Sequence, residues 1–87
     1  MTHHLTFYSK PGCHLCEDAR KVVDEVVARL GAAGQASVDV EEIDILGDPE
    51  LQNRYGEEIP VVLIDGKMHT YWRVDAARLE KALKELA

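Results

Sequence analysis

The chain has 87 residues, 46% of them apolar, and a formal net charge of −6. This length fits one domain, residues 1–87, and the apolar fraction supports a packed core rather than general disorder. The negative charge and the lack of a basic stripe argue against a nucleic-acid partner, because phosphate backbones would be repelled.

The apolar runs are only a few residues long, whereas about 20 are needed to span a bilayer, so the sequence predicts no membrane segment. The first residues lack the positive and apolar regions of a signal peptide. The expected compartment is therefore the cytoplasm, where thiols stay reduced. Nothing in the pattern demands an oligomer, so a monomer is expected.

The first predicted elements are a strand and a helix. Residues 5–9 are rich in strand formers, and Pro11 and Gly12 end this strand. A helix with one apolar face follows, since apolar residues recur at spacings of three and four, with Gly31 and Gly34 as candidate stop signals. The residues predicted on its inner face are Leu15, Ala19, Val22, Val23, Val26, Val27 and Leu30.

A second strand and a short helix come next. Residues 37–45 alternate imperfectly and predict the strand. Asp48 is the expected N-cap of the helix and Pro49 its first residue, because proline lacks the N–H that this position leaves unpaired. The helix is predicted to run to Tyr55 and to end at Gly56.

The last part of the chain predicts a hairpin and a helix. Residues 61–64 form a continuous apolar run, typical of a buried strand, and Asp65-Gly66 is a strong hairpin signal before a return strand over 67–72. Asp75 is the expected cap of the final helix. The inner face of that helix is predicted to carry Ala76, Leu79, Leu83 and Leu86.

The element order is therefore β-α-β-α-β-β-α. This order predicts an α/β fold in which helices cover both faces of a four-stranded mixed sheet.

The two cysteines, Cys13 and Cys16, are the strongest chemical signal in the sequence. Disulfide exchange needs a thiolate that attacks and a second thiol that releases the mixed disulfide. Cys13 lies at a predicted helix N-terminus, where free N–H groups and the nearby Lys10 favour an anion. Cys16, three residues on, returns to the same face of the helix. Cys13 is thus predicted to attack and Cys16 to resolve.

Other roles for this pair are possible but fit the sequence less well. A structural zinc site needs four ligands, and a c-type haem signature needs histidine where Glu17 stands. A Pro-Gly turn at a helix start is also the wrong place for two inert core cysteines. His14 either tunes the neighbouring thiol or is an exposed helix residue. His3, His4 and His69 are expected at the surface.

Residues 9–16, Ser-Lys-Pro-Gly-Cys-His-Leu-Cys, closely resemble the active-site segment of glutaredoxins and glutaredoxin-like proteins. Ile59-Pro60, just before an apolar strand, resembles the cis-proline site of the thioredoxin fold. With the element order, the resemblance covers nearly the whole chain. It implies a thioredoxin-like fold, a cis peptide bond before Pro60 and an Ile59 backbone that pairs with a bound thiol.

The resemblance implies four contact residues for glutathione or a thiol substrate: Lys10, Ile59, Pro60 and Asp75. It implies no tightly bound cofactor and no metal. Glu57 and Glu58 stand where the family is usually uncharged, and Val74 lies where it has a flexible Gly-Gly pair. Added negative charge would repel the carboxylates of glutathione, so a protein of the thioredoxin reductase kind is the alternative reductant.

The predicted function is a thiol–disulfide oxidoreductase of cell redox homeostasis and electron transport. Its expected partners are disulfide-containing proteins or glutathione. Two alternatives belong to other classes: a metal or iron–sulfur carrier that uses Cys13 with further ligands, and a non-catalytic interaction module that kept the fold.

Overall fold

The computed structural model describes residues 2–86. The elements are β1 (Thr2–Ser9), α1 (His14–Ala32), β2 (Ser37–Asp44), a 3₁₀ turn (Ile45–Gly47), α2 (Pro49–Tyr55), β3 (Val61–Ile64), β4 (Lys67–Tyr71) and α3 (Ala76–Leu86).

The strands form one mixed sheet in the order β2-β1-β3-β4. β1 pairs parallel to β2 through the α1 crossover, and the β1–β3 and β3–β4 pairs are antiparallel. α1 and α3 pack against each other. Tyr55 of α2 stacks on Tyr8 of β1, with ring centroids 5.0 Å apart, so α2 covers the face of β1 that carries Tyr8. The predicted α/β fold and its four-stranded mixed sheet are confirmed.

The core lies between the central strands and the paired helices. The side chains of this core that have no exposed surface are Leu5, Phe7, Val23, Val26, Leu30, Val62, Leu79 and Leu83. Leu15 is 53% exposed, which corrects its predicted place on the inner face of α1. It lies one residue, about 100° of helix rotation, away from Cys16 and the buried stripe that Cys16 begins. The side chain of Leu86 lies outside the described residues.

Local turn and capping signals are confirmed. Asp48 accepts N–H bonds from two residues of α2, and Asp75 accepts one from α3 at 3.0 Å. Asp65 and Gly66 have φ values of 51° and 83°. Two residues with positive φ make the tight hairpin turn whose twist matches that of the flanking strands.

Of the two candidate stop signals, α1 continues through Gly31, and the chain turns at Gly34, where φ is +68°. Two strand ends differ from prediction. β2 ends at Asp44, because the Asp44 carboxylate accepts an N–H bond that begins the 3₁₀ turn. β4 ends at Tyr71, because Trp72 has a φ of +67° and leaves the extended region. None of the helices in the described part of the chain has the length and apolar character needed to cross a membrane.

β1 begins at Thr2, three residues before the predicted start, because it pairs with β2 along its whole length. His3 is therefore only 6% exposed, which corrects its predicted surface position. Its Nδ1 donates to Asp65 Oδ2 at 2.7 Å, and the His4 N–H donates to Asp65 Oδ1 at 2.9 Å. These two hydrogen bonds hold the hairpin turn at the start of β1. His69, also predicted at the surface, is partly buried as well.

The hydrogen bonds to the Asp65 carboxylate predict that the stability of the fold depends on pH. The hydrogen bonds from the His4 N–H and the His3 ring hold the pKa of Asp65 below its ordinary value. A carboxyl with a lower pKa in the folded state stabilises the fold above its unfolded pKa, and this contribution is lost as the pH falls through the folded pKa. In urea denaturation of the wild type, the free energy of unfolding should decrease as the pH is lowered below about 4.

Asp65→Asn should show a smaller fall over the same pH window, since asparagine does not titrate and tolerates positive φ. The matched control is Asp39→Asn, a change at an exposed position of β2. It should keep the wild-type slope. Equal pH slopes in wild type and Asp65→Asn would contradict the assignment.

Candidate functional site

The cysteines lie where the chain passes from β1 into α1. Gly12, with φ +78°, turns the chain in a conformation that glycine adopts freely. Cys13 then caps α1 with an extended backbone, and its Sγ accepts the Cys16 N–H at 3.1 Å. The first sulfur thus lies at a helix N-terminus, the position predicted from the sequence.

Cys13 and Cys16 form a disulfide, with Cα atoms 5.2 Å apart. The i, i+3 spacing brings them to one face of the first helical turn. Cys16 is only 4% exposed and belongs to the core, whereas Cys13 is partly exposed. After reduction, Cys13 therefore offers the accessible sulfur and Cys16 stands behind it.

An open cavity of about 640 Å³ lies against the disulfide. Its walls come from the β1–α1 loop, the first turns of α1 and the end of β2. The charged side chains that line it are Lys10, Glu17, Arg20, Glu42 and Asp44. The cavity is thus polar, and both cysteines line it.

A hydrogen-bonded network forms one wall of this cavity. The hydroxyl of Ser9, only 5% exposed, donates to Glu42 Oε2 at 2.8 Å. Arg20 donates to Glu42 Oε1 at 2.5 Å and to Asp24 Oδ1 at 2.9 Å. These hydrogen bonds and charges, those of Asp24 foremost, raise the pKa of Arg20 above its ordinary value. This network was not predicted from the sequence. The one local sign of it was the i, i+4 spacing of Arg20 and Asp24, which favours an ion pair along a helix.

The loop before β3 carries the predicted cis proline. The Ile59–Pro60 peptide bond is cis, and both side chains are buried. The Trp72 N–H donates to the Pro60 carbonyl at 2.8 Å, and the Trp72 indole donates to the Glu57 carbonyl at 2.9 Å. Trp72, directly after β4, therefore holds this loop through two of its carbonyl groups.

The four predicted contact residues fall in different places. Lys10 is exposed and lines the cavity of the cysteines. Ile59 belongs to the same buried cluster as Cys16 but does not line that cavity. Pro60 is buried. Asp75 caps α3 and lines a separate cavity, beside β4.

His14 faces solvent. Its side chain is 95% exposed, and its Nδ1 lies 3.6 Å from Glu17 Oε2. This position agrees with one of the two alternatives for His14, that of an exposed helix residue. Within residues 2–86, no three His, Cys, Asp or Glu side chains are grouped so that they could hold a metal ion.

The sheet order and the Cys-x-x-Cys pair at the start of α1 define a thioredoxin-like protein with a dithiol site. The chain belongs to the glutaredoxin-like domain family (DUF836), whose model matches residues 4–84. The family resemblance drawn from residues 9–16 is thereby confirmed.

Known proteins agree with this assignment. An uncharacterized protein of Mycobacterium tuberculosis is 35% identical over 71 residues, which cover 82% of this chain and 72% of that protein. The X-ray structure of the protein XcR50 from X. campestris has a TM-score of 0.73 and 29% identity, covering 95% of this chain and 97% of that one. Chloroplastic thioredoxin z has a TM-score of 0.73 at 18% identity, covering 98% and 78%, and shows the fold alone.

Proposed function

We propose that the protein is a thiol–disulfide oxidoreductase in which Cys13 attacks disulfides and Cys16 resolves the product. One observation carries this proposal. The Cys13 sulfur borders an open cavity at a helix N-terminus, while its bonded partner Cys16 is 4% exposed. A disulfide that arrives from solution therefore meets the Cys13 sulfur before that of Cys16.

The local chemistry supports this order of events. An N–H bond and the helix dipole at Cys13 favour a thiolate, and Lys10 adds positive charge to the same cavity. The Cys13 thiolate would bond to one sulfur of a substrate disulfide and expel the other as a thiolate. The Cys16 thiolate would then attack Cys13, form the internal disulfide and release the second substrate thiolate. The substrate gains two electrons, and the protein dithiol loses them.

The surface beside the cysteines favours protein disulfides as substrates. Leu15 and Trp72, each 53% exposed, line one groove along α1, and large exposed apolar side chains mark contact surfaces. Glutathione mixed disulfides are the second substrate class. Of the two candidate reductants, thioredoxin reductase is favoured over glutathione, because Glu57 and Glu58 add negative charge near the cis-proline loop.

The test is turnover of a small glutathione mixed disulfide with glutathione and glutathione reductase, and of a protein disulfide with thioredoxin reductase. Wild type should turn over at least one substrate. Cys13→Ser should lose activity on the order of 1,000-fold or more, as expected when a nucleophile is removed. Circular dichroism should show an intact fold in the variant. Activity that survives Cys13→Ser would overturn the proposal.

A further inference from the structure

We propose that Arg20 and Glu42 are positioning residues for the resolving step, because their ion pair, together with the hydrogen bond from Ser9 to Glu42, holds the start of α1 so that Cys16 faces Cys13. The inference rests on the proposed function and adds what sets the rate of its second step.

The network joins the helix that begins at the cysteines to the end of β1 and to β2. Ser9 is the last residue of β1, and the chain passes directly from it through the loop to Cys13. Arg20 stands four residues after Cys16, on the same side of α1. Glu42, on β2, accepts from both Ser9 and Arg20, one with each carboxylate oxygen. The carboxylate therefore fixes the start of α1 relative to the end of β1.

The guanidinium of Arg20 is held in two directions. Its Nε donates to Asp24 and another nitrogen donates to Glu42, and the side chain is 32% exposed. A planar fork with two carboxylate partners has little freedom, and a lysine ammonium could not reproduce that geometry. Arg20 thus supports the position of the helix and not only its charge balance.

The other charged groups of the cavity lack this connection. Asp44 caps the 3₁₀ turn, Glu17 lies nearest to the exposed His14, and Lys10 is exposed on the loop. None of these contacts ties α1 to the sheet. Among the charged side chains that line the cavity, the Arg20–Glu42 pair is the hydrogen-bonded contact that does so.

The two chemical steps depend differently on this support. The first is a reaction between Cys13 and a disulfide that arrives from solution, and depends on the access and the thiolate character of Cys13. The second is intramolecular, and its rate depends on how well Cys16 is oriented towards the Cys13 sulfur. Loosening the contact between α1 and β2 should therefore slow the second step much more than the first.

A chromogenic aromatic disulfide, dithiobis-nitrobenzoate, reports both steps on the reduced protein. Attack by Cys13 releases one thionitrobenzoate at a rate that rises with reagent concentration. Closure by Cys16 releases a second at a rate independent of concentration. With at most one equivalent of reagent in stopped flow, we expect Arg20→Gln and Glu42→Gln to slow the second release about 10-fold and the first less than about 2-fold.

Three further variants sharpen the test. Arg20→Lys keeps the charge but loses the fork, and should be as slow as Arg20→Gln in the second release. The double variant Arg20→Gln/Glu42→Gln should be no slower than either single one, because the residues act as a unit. Ser9→Ala removes only one hydrogen bond and should disturb the fold least. It should slow the second release by a smaller factor.

The matched control lies on the same helix. Arg29, in the last turn of α1, approaches Glu80 of α3 at 3.7 Å. Arg29→Gln and Glu80→Gln make the same chemical changes away from the cysteines, and should leave both releases at wild-type rates.

The outcomes separate the two proposals. Wild type that releases no thionitrobenzoate through Cys13 would end the proposed function itself. Wild type with both releases, and Arg20→Gln with a second release within 2-fold of it, would overturn the positioning role alone. Equal slowing of both releases, or full rescue by Arg20→Lys, would overturn it too, since the first indicates general disruption and the second a charge effect.

Discussion

Cys16→Ser is expected to trap the protein on its substrate as a stable mixed disulfide. Cys13 remains accessible and can still form the first bond, but the buried group behind it is then a hydroxyl that cannot displace the substrate thiol. Incubation with an oxidised substrate should give close to one covalent adduct per chain. Mass spectrometry under non-reducing conditions measures this adduct, which dithiothreitol should remove.

The control for this trap is Cys13→Ser under the same conditions. It should form little adduct, because Cys16 is 4% exposed and has no comparable access to a disulfide in solution. Wild type should also show little adduct, since Cys16 clears it. Efficient trapping by Cys13→Ser with none by Cys16→Ser would reverse the assigned roles.

Phe7→Ala is expected to remove much of the stability of the domain. Phe7 has no exposed surface, and β1 pairs with β2 on one side and β3 on the other. Truncating a buried phenylalanine costs roughly 3–5 kcal/mol through lost burial and the cavity left behind. Because small domains have about 5–15 kcal/mol in total, the variant should unfold at markedly lower denaturant concentration. Urea denaturation followed by circular dichroism measures the change.

The matched control for Phe7→Ala is Leu15→Ala, another truncation of a large apolar side chain. Leu15 is 53% exposed, so its loss should change the free energy of unfolding by no more than about 0.5 kcal/mol. Comparable losses in the two variants would mean that the core is not centred on β1.

Several features follow from the amino-acid sequence alone because they depend on neighbouring residues. Asp48 caps α2, and Asp65-Gly66 makes the hairpin turn, since capping and positive φ are properties of a few consecutive residues. The placement of Cys13 at a helix start and of Cys16 three residues later needs only the Pro-Gly turn and helical spacing. The element order and the dithiol pair were therefore predictable.

Other features depend on which strands become neighbours. His3 is buried because β1 pairs with β2 from Thr2 onward and because the distant turn residue Asp65 meets it there. No pattern within a few residues carries that information, since strand register brings together positions far apart in the chain.

The contacts around the dithiol show the same division. Ser9 and Glu42 are 33 positions apart, and Arg20 and Glu42 are 22 apart. Their meeting required both the parallel pairing of β1 with β2 and the packing of α1 beside them. Local chemistry thus places two thiols at a helix start, whereas the fold supplies the network beside them, because only tertiary packing joins side chains from three separate elements.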